Sequence, residues 1–170
     1  MEFGQWSEWN VWSDLEWHLL QYKPHQELKH FFSRVNELYR SEIALYTQDF
    51  TQEGFEWVDC NDNRHSVVSF IRRAKDDPDE YLIMVCNFTP QPHAHYRVGT
   101  PEHGFYTELF NSDSREYGGS NMGNLGGKWS DEWAFHNRPY SIDLCLPPLS
   151  VLVLKIDREK TAKILTSSER

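Results

Sequence analysis

Between residues 28 and 39 apolar side chains recur at three- and four-residue steps, as Leu28, Phe31, Phe32, Val35, Leu38 and Tyr39. Lys29, Arg34, Glu37 and Arg40 fall on the other side. That period predicts an amphipathic helix whose apolar stripe must pack on something. Pro24 suits its first turn, where a missing N–H costs nothing. After about Thr47 the period changes to two. Residues 54–59, 66–73, 81–88, 93–98 and 105–110 read as strands between Asp, Asn, Pro and Gly turns. Residues 140–146 alternate cleanly, with Tyr140, Ile142, Leu144 and Leu146 on one face. Residues 81–88 and 149–156 are apolar on both faces, which predicts central strands. Several short strands with such turns predict an antiparallel β-sandwich.

Three other segments complete the picture. Ser13 and Glu16 have capping-box spacing, so a short helix is expected through Leu20, with Trp17 in its core beside Leu15, Leu19 and Leu20. Residues 117–127 form a glycine-rich loop, and residues 158–170 a charged tail expected to fray. The chain then divides into 1–46, helical, 47–157, all β, and 158–170.

Composition narrows the partners. Net charge is −9 with no block of Lys or Arg, so nucleic acid and anionic membrane lack the cationic footprint they need. A neutral partner fits. No apolar run is long enough for a membrane span. Cys60, Cys86 and Cys145 are odd in number and contain no Cys-x-x-Cys, which points to free thiols, a reducing compartment and the cytoplasm.

The chemistry-bearing residue types form no catalytic constellation. Gly126-Gly-Lys128 lacks the upstream glycine of a phosphate loop and has Trp129 in place of a hydroxyl residue. His93 and His95 alternate on one strand face, a geometry that can hold a metal, yet no third ligand is near. The acidic turn Asp76, Asp77, Asp79, Glu80 lacks a calcium loop's order. Glu2, Glu8, Asp131 and Glu132 are acidic, but nothing marks a glycosidase pair among them. Asn87-Phe-Thr matches a glycosylation acceptor in a run that reads as buried. No catalytic residue, metal or cofactor is expected.

The tryptophans carry more. Trp6, Trp9 and Trp12 stand three apart in a loop, which cannot bury three indoles without a partner surface. An indole suits the CH-rich face of a sugar as well as a core. Trp57, Trp129 and Trp133 read as core or as platforms, with core favoured.

The order Glu2-Phe-Gly-Gln-Trp-Ser-Glu-Trp-Asn10, followed by Leu15-Glu-Trp-His-Leu-Leu20, resembles the end of the catalytic barrel in glycogen (1,4-α-glucan) branching enzymes of the α-amylase-like superfamily. The resemblance continues through Gly54-Phe-Glu-Trp57, Ser66-Val-Val-Ser-Phe-Ile-Arg-Arg73, Asn87-Phe-Thr-Pro90, His95-Tyr-Arg97-Val-Gly99, Tyr117-Gly-Gly-Ser-Asn121 and Leu146-Pro-Pro-Leu149. It implies a mainly β fold, a C-terminal antiparallel β-sandwich preceded by the helical end of a (β/α)8 barrel. It also implies that the catalytic Asp, Glu and second Asp lie on barrel strands outside this sequence, so that the chain is a catalytically silent fragment. Implied partners are α-glucan, as glycogen or amylose, and the enzyme's N-terminal and barrel domains. Many bacterial members have His-Asp where this chain has Val11-Trp12, a departure that resembles cyanobacterial-type members and adds a stacking surface. Trp9, Trp12 and Trp57 are the expected carbohydrate contacts. The helical stripe is expected to fold back on the sandwich or to self-associate with another copy. Two rival expectations are a free-standing, non-catalytic carbohydrate-binding sandwich and a purely structural cap.

Overall fold

The computed structural model of the protein describes residues 2–168. Helix α1, Lys23–Ser41, carries the amphipathic stripe and begins with Pro24 in its first turn. Short 3-10 turns at Ile43–Leu45 and Gln52–Gly54 lead into the strands. These are β1 (Phe55–Asp62), β2 (Val67–Arg73), β3 (Tyr81–Asn87), β4 (His93–Thr100), β5 (Phe105–Asn111), β6 (Gly127–Trp129), β7 (Tyr140–Leu146) and β8 (Ser150–Ile156). Six pair in the order β1-β2-β3-β8-β5-β6, while β4 and β7 form a second sheet. Every pairing is antiparallel.

Period two decides which residues meet. Val67, Ile71, Tyr81, Ile83, Val85, Tyr106, Leu152 and Leu154 face Tyr96, Val98, Ile142, Leu144 and Leu146 of the smaller sheet, making one core. The intervening residues Leu82 and Val153 point to the opposite side, where Ala44, Leu45, Ala74 and Phe110 join them. Phe31, Val35 and Leu38 of α1 pack on that second cluster. The result is three layers: helix, six-stranded sheet, two-stranded sheet. The helical stripe meets the sandwich itself, one of its two expected partners. β3 and β8 are covered on both faces over most of their length, which is why residues 81–86 and 151–154 are apolar on both sides. A register shift between Glu108 and Phe110 lets both Leu109 and Phe110 reach the helix side.

Several expectations need correction. The segment before α1 is a 3-10 turn, Trp17–Gln21, with no side-chain cap. The Glu16 carboxylate instead accepts from the Trp6 and Ser7 N–H groups at 2.9 and 3.1 Å, closing the preceding loop. Trp17 is 55% exposed and stacks on Phe3; Leu19 alone of its neighbours is fully buried. Over its described part the tail is ordered as α2, Arg158–Ser168. Thr161 Oγ1 accepts from the Phe105 N–H at 3.0 Å, and Arg158 pairs with Glu102, so α2 is held against the sheet. Residues 169–170 lie outside the described residues. Leu149 belongs to the turn before β8, with φ 46°, rather than to the strand. β6 falls at the end of the glycine-rich loop, where no strand was expected.

Candidate functional site

The loop ahead of α1 is anchored at its start. Phe3 is buried, and its carbonyl lies 2.7 Å from His25 Nδ1 of α1. Gly4, at φ +69°, passes so close to α1 that a Cβ would lie 3.1 Å from Leu28. The hydrogen bonds from Trp6 and Ser7 hold the Glu16 carboxyl below the usual carboxylate range, led by the Ser7 N–H. Trp6 stacks on Tyr22 and meets His25 edge-on. Beyond that anchor the loop projects. Trp9 is exposed, and Trp12 is 91% exposed at a turn where its N–H bonds Asn10 Oδ1 at 3.0 Å.

Trp57 stands on the edge strand β1, directly across from Phe70 of β2. It meets Phe55 edge-on at 4.8 Å and Phe70 at 5.9 Å, while Phe55 and Phe70 stack at 5.2 Å. These three rings lie on the face of the large sheet opposite the Ile71 core. Trp57 remains 51% exposed, so the core expectation for it fails. Trp129 is half-buried and Trp133 exposed, so core fails for Trp133 also. Among the described residues no ring contact joins Trp9 or Trp12 to Trp57. Phe55 and Phe70 were not singled out in the sequence; that Phe70 stands across from Trp57, beside its same-strand neighbour Phe55, becomes visible only with the β1–β2 register.

The other candidates have structural roles. His93 packs on His65 at 5.2 Å, whereas His95 bonds the Asp143 carboxylate at 2.8 Å. A register shift between His93 and Tyr96 gives the two histidines different surroundings. Among the described residues no three His, Cys, Asp or Glu side chains converge as a metal set. Asp113 organises the glycine-rich loop: its carboxylate accepts from Ser120 and Met122 N–H, and its carbonyl from Asn121 N–H. A Cβ at Gly119 would stand 2.2 Å from the Asp113 carbonyl oxygen, which requires glycine there. Asn87 is buried and its amide donates to Gln91 and Pro147 carbonyls, so the glycosylation match is a structural asparagine. No helix among the described residues is long and apolar enough to cross a membrane.

Comparison with known proteins bears out the resemblance. The chain is 74% identical over 167 residues to the 1,4-alpha-glucan branching enzyme GlgB of Nostoc sp., a match covering 98% of this chain and 22% of that protein. It is 76% identical over 161 residues to the enzyme of the same name from Thermosynechococcus vestitus, covering 95% and 21%. For the Synechocystis sp. enzyme the identity is 68% over 169 residues, covering 99% and 22%. The chain therefore spans about a fifth of the length of the curated relatives it matches. The family described as alpha amylase, C-terminal all-beta domain matches residues 57–157, which run from Trp57 on β1 to the residue after β8. By that match, and by its antiparallel strands, the chain belongs to the alpha amylase C-terminal all-beta domain family.

Proposed function

We propose that this chain is the C-terminal part of a glycogen branching enzyme. That enzyme cleaves an α-1,4 link, holds the glucan covalently, and transfers it to a 6-hydroxyl to make an α-1,6 branch. The chemistry belongs to carboxylates on barrel strands outside this sequence, and the chain alone is inactive. Its partners are α-glucan, as glycogen or amylose, and the N-terminal and barrel domains of the same enzyme. The compartment is the cytoplasm, in keeping with the free thiols of Cys60, Cys86 and Cys145. Near-complete coverage of the chain by branching-enzyme relatives is the observation that carries this reading.

Within it, Trp9, Trp12 and Trp57 are the glucan contacts. Each presents an indole that the rest of the chain leaves open. An aromatic platform contributes about 1–3 kcal/mol per stacked base in nucleic-acid sites, a guide to the scale for sugars. One such contact alone supports at best weak, millimolar-range binding, since a Kd of about 1 mM already takes about 4 kcal/mol. The test measures loss of amylose–iodine absorbance with the pure chain and with the full-length enzyme. The chain is expected to match the blank and the full-length enzyme to act. Absorbance loss that scales with pure chain overturns the proposal.

A further inference from the structure

Trp133 lies apart from the three tryptophans assigned above. It sits in residues 130–139, between β6 and β7, and is 61% exposed. Its ring is held in place. Arg97 of β4 lies under one ring face, with the guanidinium carbon 4.7 Å from the centroid. Arg97 is itself fixed, for its Nη1 donates to the Asp131 carboxylate at 2.7 Å and to Ser141 Oγ at 2.9 Å. Ser141 Oγ in turn donates to the Trp133 carbonyl at 2.6 Å. The backbones of Asp131 and Ser141 exchange N–H···O bonds of 2.6 and 3.1 Å, and Arg138 ties the far end of the segment to Glu56.

The position follows from strand parity. Tyr96 and Val98 point into the core, so Arg97 between them points away from it. Trp133 thus sits on the outer side of the two-stranded sheet, across the sandwich from α1. With Arg97 on one ring face, the exposed indole surface is the other face and its edge. Asp131 is more than half exposed and Glu132 is exposed, which places hydroxyl acceptors beside an open apolar plate. A flat apolar ring flanked by carboxylates and a guanidinium matches a pyranose, whose CH face stacks while its hydroxyls are hydrogen-bonded. The acidic neighbours disfavour an anionic sugar. The plate is also prepaid in order: binding need not freeze Trp133, because the arginine already does.

We propose that Trp133, seated on Arg97, is a further contact for a neutral α-glucan, on the side of the sandwich away from α1. This rests on the reading that the protein works on α-glucan. Such a contact tethers a long chain by a segment remote from Trp12, raising the local concentration of the rest of it. The purely structural alternative is that the Arg97–Trp133 pair only clamps residues 130–139 over β4 and β7.

The test follows the indole N–H signals of isotope-labelled chain by NMR during titration with maltoheptaose. The expected result is a saturable shift of the Trp133 signal at millimolar sugar, and a much smaller one with the β-linked cellohexaose. In Trp133→Ala, shifts of the Asp131 and Ser141 amides are expected to vanish while signal dispersion reports an intact fold. Should the alanine variant unfold, Trp133→Phe takes its place, with a response weakened roughly five-fold but retained. A silent Trp133 while Trp12 or Trp57 shifts overturns this inference and leaves the proposed function standing. Silence of all three overturns both sets of contacts. An equal response to cellohexaose, or amide shifts that persist without Trp133, also overturns the inference.

Discussion

The Phe31 ring of α1 lies 5.7 Å from Phe110 on β5, and both rings meet Tyr117 at the start of the glycine-rich loop. The helix therefore shares one aromatic contact with a bulged strand and the loop that follows it, both far along the chain from α1. Phe31 is half-buried there, so its removal forfeits part of a large side chain's burial. Phe31→Ala is expected to lower stability by about 2 kcal/mol. Hydrogen exchange checks where the loss falls: amides of α1 should exchange faster, while β3 and β8 keep their protection relative to global unfolding.

A polar link of a different kind joins the two sheets. Asn124 is buried; its amide nitrogen donates to Glu108 Oε2 at 2.7 Å and to the Cys145 carbonyl at 3.2 Å. Its Oδ1 accepts from the Cys145 N–H at 2.9 Å. Asn124→Ala leaves a half-buried carboxylate and a strand N–H short of partners, at a cost of about 2–3 kcal/mol. Asn124→Asp is expected to be no milder, because it sets a second carboxylate against Glu108. Urea denaturation of the two variants measures both effects.

The strands were legible because their burial obeys the period that defines a strand. Tyr140–Leu146 emerged with both ends correct, since Ile142, Leu144 and Leu146 all face one core. β6 was not legible: Gly127, Lys128 and Trp129 carry no alternation, and only pairing with β5 makes them a strand. α2 was hidden by its charge, because its attachment runs through Thr161, Arg158 and Lys160 over Phe105 rather than through an apolar stripe. The Ser13/Glu16 spacing misled because a carboxylate satisfies any free N–H within reach, and here the Trp6 and Ser7 amides were nearer than a helix end. The exposed tryptophans were recognisable as too many for a loop to bury. Trp133 was not separable from core without knowing that Arg97 lies beneath it.

Buried phenols are expected to shape the alkaline limb of stability. Tyr81 and Tyr106 share a hydroxyl–hydroxyl hydrogen bond of 2.9 Å inside the core, and Tyr96 donates to Asp62 at 2.8 Å. Burial pushes all three phenols above the ordinary tyrosine value, with Asp62 adding to it at Tyr96. In the unfolded chain they ionise near about pH 10. Their contribution is therefore whole below about pH 10 and is lost as pH rises further, because the unfolded state releases those protons first. Denaturation midpoints should be insensitive to these groups up to about pH 9.5 and fall above it. Phenolate absorbance should show these three tyrosines ionising only with unfolding, and Tyr96→Phe should make the alkaline decline shallower.

Trp12 and Trp57 differ in what their removal costs the fold, and that difference separates contact from support. Trp12 has no ring partner among the described residues and is 91% exposed, so Trp12→Ala is expected to leave the melting temperature unchanged. Trp57 leans on Phe55 and Phe70, so Trp57→Ala is expected to cost about 1 kcal/mol through the edge-on contacts it loses. If both rings stack on glucan, each alanine variant of the full-length enzyme should bind glycogen more weakly by roughly five- to ten-fold, the scale of one aromatic platform. If the glucan path runs from the reaction site to β1, the effect should shrink for short maltooligosaccharides that do not span both. Glycogen affinity electrophoresis and thermal unfolding, run on the same preparations, measure the two quantities together. A melting temperature that drops several degrees while glycogen affinity stays at wild type identifies that ring as support for the fold and removes it from the glucan path.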